Sequence, residues 1–268
     1  MLPAPLISDA QADQQFQRQV RDHYPQSFEF ESRYVEHEMA HIGQVFDLGL
    51  CPVAGKRVLE FGCNVGATAI VLAHFGANVT AVDISRPYLD MAALNAKRYG
   101  VADKIAFELL QAGEPLPFPA ASFDVITCNS VLEYVNPELL PFVQLELGRV
   151  LKPGGLLLVF GTSNRLSPIE VHSHRWFTNY TPRLLDRFLR RPIERGVSPW
   201  RLSRGFGREF DNLLPGSEGA RRYIELKQRM GMNGWRLTAL RVVSTALTVT
   251  PLSLPLLLPN ATVLLRKR

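Results

Sequence analysis

The sequence predicts an α/β fold built on a doubly wound, mostly parallel sheet. Three observations predict it. Short apolar runs alternate with amphipathic stretches between about residues 55 and 162, the signature of a parallel sheet with helices on both faces. The first run ends in an acid and a glycine-rich turn that opens into an amphipathic stretch, Ala67 to Phe75. The second run ends in another acid, Asp83.

The elements follow in order. Residues 10–21 are polar and read as a short helix. Residues 29–50 read as a longer one, with Tyr34, Met39, Ile42, Val45, Phe46 and Leu50 near helical spacing. Strands are expected near 57–61, 79–83, 105–110, 123–128 and 155–160, and helices near 67–75, 87–99 and 137–150. Pro87 suits the first turn of its helix, where a missing N–H costs little. Beyond residue 162, residues 181–190 read as a helix capped by Thr181 with Pro182 at its first turn. Residues 192–216 are rich in Arg, Gly and Pro and read as a loop or lid. Residues 217–230 read as a further helix ending at Gly231. The run 242–265 carries no charge and is long enough to span a bilayer, but Pro251, Pro255 and Pro259 argue against one continuous helix. A helix end, an apolar loop and a last strand at 261–266 fit it better. The organisation expected is a helical segment (1–50), a core (51–162) and a basic C-terminal part (163–268).

The segment Arg57-Val-Leu-Glu-Phe-Gly-Cys-Asn-Val-Gly-Ala-Thr68 is strand, tight loop, helix. Glycine lets the backbone pass under a ligand with no Cβ in the way, and a helix N-terminus offers free N–H groups. An acid at the tip of the second strand is placed to accept both hydroxyls of a ribose. Ligands of such sheets bind at the carboxyl ends of the strands, where Glu60, Asp83, Gln111 and Asn129 fall. A nucleoside-containing cofactor is therefore expected. The loop spacing, Glu60-x-Gly62-x-Asn64-x-Gly66, departs from the G-x-G-x-x-G of dinucleotide sites. An acid at 60 suits a cationic ligand better than a pyrophosphate.

This loop resembles motif I of the class I S-adenosylmethionine (SAM) methyltransferases, with Asn64 at the place of the middle glycine. Asn is the residue after glycine that best tolerates a left-handed backbone. Ser122-Phe-Asp-Val-Ile-Thr-Cys-Asn-Ser-Val-Leu-Glu-Tyr-Val135 is similar to the family's fourth strand and following loop, and Arg149-Val-Leu-Lys-Pro-Gly-Gly155 to the turn into its fifth. Pro117-Phe118 fits the subgroup of ubiquinone and menaquinone type. The resemblance implies a Rossmann-like, seven-stranded sheet with its last strand antiparallel, N-terminal helices over the cofactor, and SAM as cofactor. It also implies site residues. Asp83, with Ile84 beside it, binds the ribose; Gly62, Asn64 and Gly66 pass the methionine part; Glu60 orients that part through the loop. Gln111 takes the adenine side, where the family often has an Asp, with Ala112 backbone or Glu114 as alternatives. Asn129 and Val131 line the cofactor, mainly by backbone. Glu133-Tyr134 stands where the family often has Glu-His.

The acceptor side is read from Ser167-Pro-Ile-Glu-Val-His-Ser-His-Arg-Trp-Phe177. His172 and His174 are candidate catalytic bases and Arg175 a candidate anion contact, with a purely structural loop as the alternative. Residues His37-Glu-Met-Ala-His41 match the H-E-x-x-H zinc motif, but no third ligand is evident and no metal is expected.

Charge is divided along the chain. Residues 1–164 hold 11 Lys/Arg against 18 Asp/Glu; residues 165–268 hold 19 against 7, and 17 of the 19 are Arg. This points the C-terminal part at an anionic partner, with a solvated surface as the plain alternative. The expected partner is a small-molecule, lipid-linked or glycan acceptor, anionic in character and methylated on oxygen. Peripheral contact with a membrane is a further option. Nucleic acid is disfavoured because no recognisable binding module is present. Three scattered cysteines and an N-terminus without a basic, then apolar, leader point to the cytoplasm, with the inner membrane surface as the place of any membrane contact. Two alternatives remain: a non-catalytic regulator or partner subunit that keeps the fold, and a nicotinamide-dependent oxidoreductase.

Overall fold

The computed structural model describes residues 2, 5–169, 176–182, 195–247, 255 and 258–268. The chain divides into two compact units, Met1–Thr127 with Val150–Lys152, and Cys128–Arg149 with Pro153–Arg268. Residues 1–50 fall within the first unit.

The first unit opens with α1 (Ala10–His23), α2 (Phe28–Ser32), α3 (Tyr34–Ala40) and α4 (Ile42–Asp47). Where one helix was expected over 29–50, the chain breaks at Arg33 and again at His41, whose φ −111° and ψ −84° lie outside the helical region. Gly43 lets α4 pack closely on α3, since a Cβ there would lie 3.2 Å from Met39 Sδ. The apolar spacing survives because Val35, Met39, Ile42, Val45 and Phe46 stay buried across the breaks. Next come β1 (Arg57–Phe61), α5 (Ala67–His74), β2 (Asn78–Asp83), α6 (Arg86–Arg98), β3 (Ile105–Leu109) and β4 (Phe123–Asn129). Helix α5 was expected to be amphipathic but is buried from Ala67 to Ala73, because its residues there are apolar apart from Thr68. Strand β1 lies between β2 and β4 and is parallel to both, with Glu60 level with Ala81 on one side and Thr127 on the other.

Helix α1 is fixed to α6 by a buried cation. Arg98 is 2% exposed. Its Nε lies 2.5 Å from Asp13 Oδ1, its Nη1 donates to Ser32 O at 3.0 Å, and its guanidinium stacks over Phe16. A buried charge is tolerable only when paired and hydrogen-bonded in this way.

The second unit contains α7 (Leu140–Val150), β5 (Leu151–Ser163), α8 (Pro199–Arg204), β6 (Phe210–Asn212), α9 (Gly216–Arg229), α10 (Gly234–Leu247) and β7 (Asn260–Lys267). The sheet order is β3-β2-β1-β4-β5-β7-β6, and β7 runs antiparallel to both of its neighbours. The seven-stranded, Rossmann-like sheet with an antiparallel C-terminal strand is as expected. Within the expected loop of 192–216, α8 and β6 are additional. A three-residue edge strand such as β6 is too short to carry a period-two signal. The expected helix at 181–190 lies mostly outside the described residues, as does most of the apolar stretch before β7.

Candidate functional site

The glycine-bearing loop joins β1 to α5. Gly62, Asn64 and Gly66 all have positive φ, +76°, +48° and +77°. Asn64 thus adopts the left-handed conformation that its side chain tolerates best among non-glycine residues. The backbone N–H groups of Gly62 and Cys63 donate to Val82 O at 2.9 and 3.0 Å, tying the loop to the end of β2. Asn95 Nδ2 donates to Val65 O at 2.9 Å, and Val65 packs with Phe16, Val20 and Met91. The loop is therefore held from beneath on three sides. Gly66 serves this packing: a Cβ there would come within 2.9 Å of Ala92 Cβ on α6. The close approach that excludes a side chain at Gly66 is that of a neighbouring helix.

Asp83 ends β2 and is 9% exposed. Its Oδ2 accepts the N–H of Asn64 and its Oδ1 the N–H of Ser85, both at 2.9 Å. Strand end, glycine loop and the start of α6 thus meet on one carboxylate. Two oxygens offer about four lone-pair positions, so two backbone bonds leave a face able to accept two ligand hydroxyls. Ile84, 66% exposed, follows directly and gives an apolar surface beside the carboxylate. The N–H of Leu110 donates to Asp83 O at 2.8 Å, which brings the end of β3 alongside. Gln111 and Glu114 follow, both exposed.

Glu60 is 1% exposed and does not present its charge to solvent. Thr127 Oγ1 donates to its Oε2. Burial raises its pKa well above the usual carboxylate range; the Thr127 bond opposes that, and nearby Glu38 adds to it. Glu60 therefore lies beneath the loop and is not a surface contact. Cys63, in the loop itself, is buried and its thiol pKa is raised by burial first and by Asp83 and Glu60 next, which keeps it protonated.

Three residues of the N-terminal helices join this region that sequence reasoning missed. Tyr24 donates to Asn64 Oδ1 at 3.5 Å and stacks on Tyr88 with centroids 6.2 Å apart. Glu38 is buried close to Glu60, and Tyr34 contacts Glu38. Helical spacing marks Tyr34 as inward-facing, but Tyr24 and Glu38 carry no such sign, and the partners of all three across the fold are not readable locally.

His37 and His41 stack face to face, with centroids 4.0 Å apart and planes 26° apart. His41 Nδ1 is bonded to His37 O at 2.7 Å. Parallel rings do not point two nitrogens at one ion, so the zinc-motif spacing here serves an aromatic cluster with Phe30 and Tyr34.

In the second unit, Asn129 closes β4 and Ser130 follows with φ +48°. Gly161 has φ +69°, which favours glycine, and a Cβ there would also lie 2.5 Å from Ser130 Oγ and 3.1 Å from Asn129 Oδ1. Glu133 is buried and its Oε1 accepts the N–H of Ser163 at 3.2 Å. His172, His174 and Arg175 lie outside the described residues.

A parallel sheet with a left-handed loop after β1 and a carboxylate closing β2 is the arrangement of a Rossmann-like fold. Residues 59–159 match the family model described as "Methyltransferase domain". The chain is 39% identical over 121 residues to the ubiquinone biosynthesis O-methyltransferase of Paracidovorax citrulli, covering 44% of this chain and 48% of the relative. It is 41% identical over 117 residues to the protein of that name from Ralstonia nicotianae, covering 42% and 46%. The chain thus spans about half the length of these curated relatives. The crystal structure of an S-adenosylmethionine-dependent methyltransferase from Mesorhizobium loti shares the fold. Its TM-score is 0.54 at 18% identity, over 82% of this chain and 96% of that one. Residues 59–159 thus resemble a methyltransferase domain, including that of the ubiquinone biosynthesis O-methyltransferases.

Proposed function

We propose that the chain is a SAM-dependent methyltransferase that methylates an oxygen of a small-molecule, lipid-linked or glycan acceptor. The observation that carries the reading is the Asp83 carboxylate, anchored by the Asn64 and Ser85 N–H groups with a face left for ribose hydroxyls. SAM supplies a methyl group already on a good leaving group. The protein's share is then to position the acceptor, exclude water and take one proton. In this reading Asp83 and Ile84 hold the nucleoside, and Gly62, Asn64 and Gly66 shape the floor for the methionine part. Glu60 supports that floor, Gln111 lies on the adenine side and Asn129 lines the cofactor.

Oxygen as the receiving atom and a lipid-linked acceptor are supported by the relatives named for ubiquinone biosynthesis O-methylation. An anionic acceptor is supported by the arginine-rich composition of residues 165–268. Residues 51–162 then act as the cofactor core and 163–268 as the acceptor cap, with His172 or His174 as proton acceptor. The protein works in the cytoplasm, at the inner membrane surface where a lipid-linked acceptor resides.

Asp83→Ala should weaken S-adenosylhomocysteine binding at least tenfold, since hydrogen bonds to a charged group are worth about 1.5–3 kcal/mol each. Transfer of a tritiated methyl group from SAM is then followed with hydroxylated acceptors, lipid-linked and water-soluble, with and without acidic groups. Label in a lipid-linked product supports the reading. Tight cofactor binding with no transfer to any acceptor would turn it to a non-catalytic partner subunit.

A further inference from the structure

Helix α10 has two apolar sides. Leu237, Leu240 and Ser244 are buried, and the helix packs against α9. At about 100° per residue, Trp235, Ala239 and Val242 fall on the opposite side, with Val243 beside them. Trp235 is 77% exposed, Val242 66% and Val243 46%. Arg236 and Arg241 fall on the two flanks between these sides, and the helix contains no acid. The guanidinium of Arg236 lies 5.8 Å from the Trp235 ring centroid. The hydroxyls of Thr238 and Thr245 donate back to Gly234 O and Arg241 O at 3.3 and 3.0 Å. Bonded within the helix, they lose little on leaving water.

We propose that this outer face of α10 docks on an anionic lipid bilayer, with Trp235 and Val242 entering the headgroup–acyl boundary and Arg236 and Arg241 meeting lipid phosphates. Tryptophan favours that boundary because its ring is apolar and its N–H polar. Arginines on the flanks of an apolar stripe reach the headgroups while their stems lie along the apolar layer. Charge selects this occupant. A second copy of the same face would set arginine against arginine, whereas an anionic surface complements both. Residues 165–268 carry 19 basic against 7 acidic side chains, and residues 248–258, which follow the helix, carry none of either sign. No helix among the described residues is long and apolar enough to cross a membrane, so α10 lies on the surface rather than spanning it. The docking rests on residues of the second unit and deepens the lipid-linked reading of the acceptor. It is tested apart from methyl transfer.

The test is flotation of the full chain with vesicles of phosphatidylcholine, alone and with added phosphatidylglycerol. Binding should require the anionic lipid and weaken with salt. Val242→Asp should lower the partition constant about tenfold or more. Arg236→Gln and Arg241→Gln should each lower it about fivefold. Melting temperature and S-adenosylhomocysteine affinity should stay unchanged in all three, and these two readouts separate a failed docking face from a failed cofactor reading. Absence of flotation with either vesicle would overturn the proposal, as would equal flotation of Val242→Asp. A wild-type dimer in sedimentation that Val242→Asp dissolves would assign the face to a second copy instead.

Discussion

Asp83 joins three backbone segments through two hydrogen bonds, and its removal should therefore loosen the loop as well as remove a ligand contact. Glu60 poses the opposite case. Its folded pKa is raised by burial, so the unfolded chain ionises first and stability is lost as pH rises above the ordinary carboxylate value of 4.5. Glu60→Gln keeps the shape and can still bond Thr127. Its melting temperature at pH 7 should equal or exceed the wild type. A lower melting temperature would mean that the carboxylate is ionised and stabilised where it stands. For His37, burial of the ring, with His41 alongside, lowers the pKa to about 4 from 6.5. The unfolded chain then binds the extra proton between those values, so stability should fall as pH drops from about 6.5 to about 4. His37→Gln should flatten the melting-temperature profile in that window; an unchanged slope would place the proton elsewhere. The positions of Asp83 and the loop residues were legible in the sequence because strand ends and turns follow from the apolar period and the glycines. Glu60 was legible as an acid but not as a buried one, since Thr127 and Glu38 reach it from 67 and 22 positions away.

Among elements, the loop and α6 form the tightest coupling. Gly66→Ala would place a methyl 2.9 Å from Ala92 Cβ at a φ of +77°. Left-handed strain and overpacking together should cost about 2 kcal/mol or more of stability, read as a lower urea midpoint. An unchanged midpoint would show that α6 yields freely. Strands β1 to β4 and helices α5 to α7 were readable because each carries its own period and its own turn residues. The N-terminal stretch was readable as helical but not as three helices. Its apolar residues keep facing one core through the breaks at Arg33 and His41, so the periodicity stays continuous while the backbone does not. Asn95, which holds the carbonyl of Val65, gave no local sign, because a buried amide inside a helix is indistinguishable in sequence from a solvated one.

At the scale of the molecule, the acidic half carries the cofactor loop and the basic half carries α9, α10 and the closing strand. The methyltransferase match covers residues 59–159, within the stretch whose alternation predicted the sheet. The division of charge was plain from composition, but its use depends on which arginines share a surface with Trp235 and Val242, and that is a property of the folded helix. The measurement that bears most directly on the central claim is calorimetric titration of the full chain with S-adenosylhomocysteine. NADH and the Asp83→Ala variant serve as controls. S-adenosylhomocysteine should bind with micromolar affinity, at least tenfold more weakly to the variant, and NADH should not bind. Binding of NADH in its place, or no binding of either, would contradict the central claim.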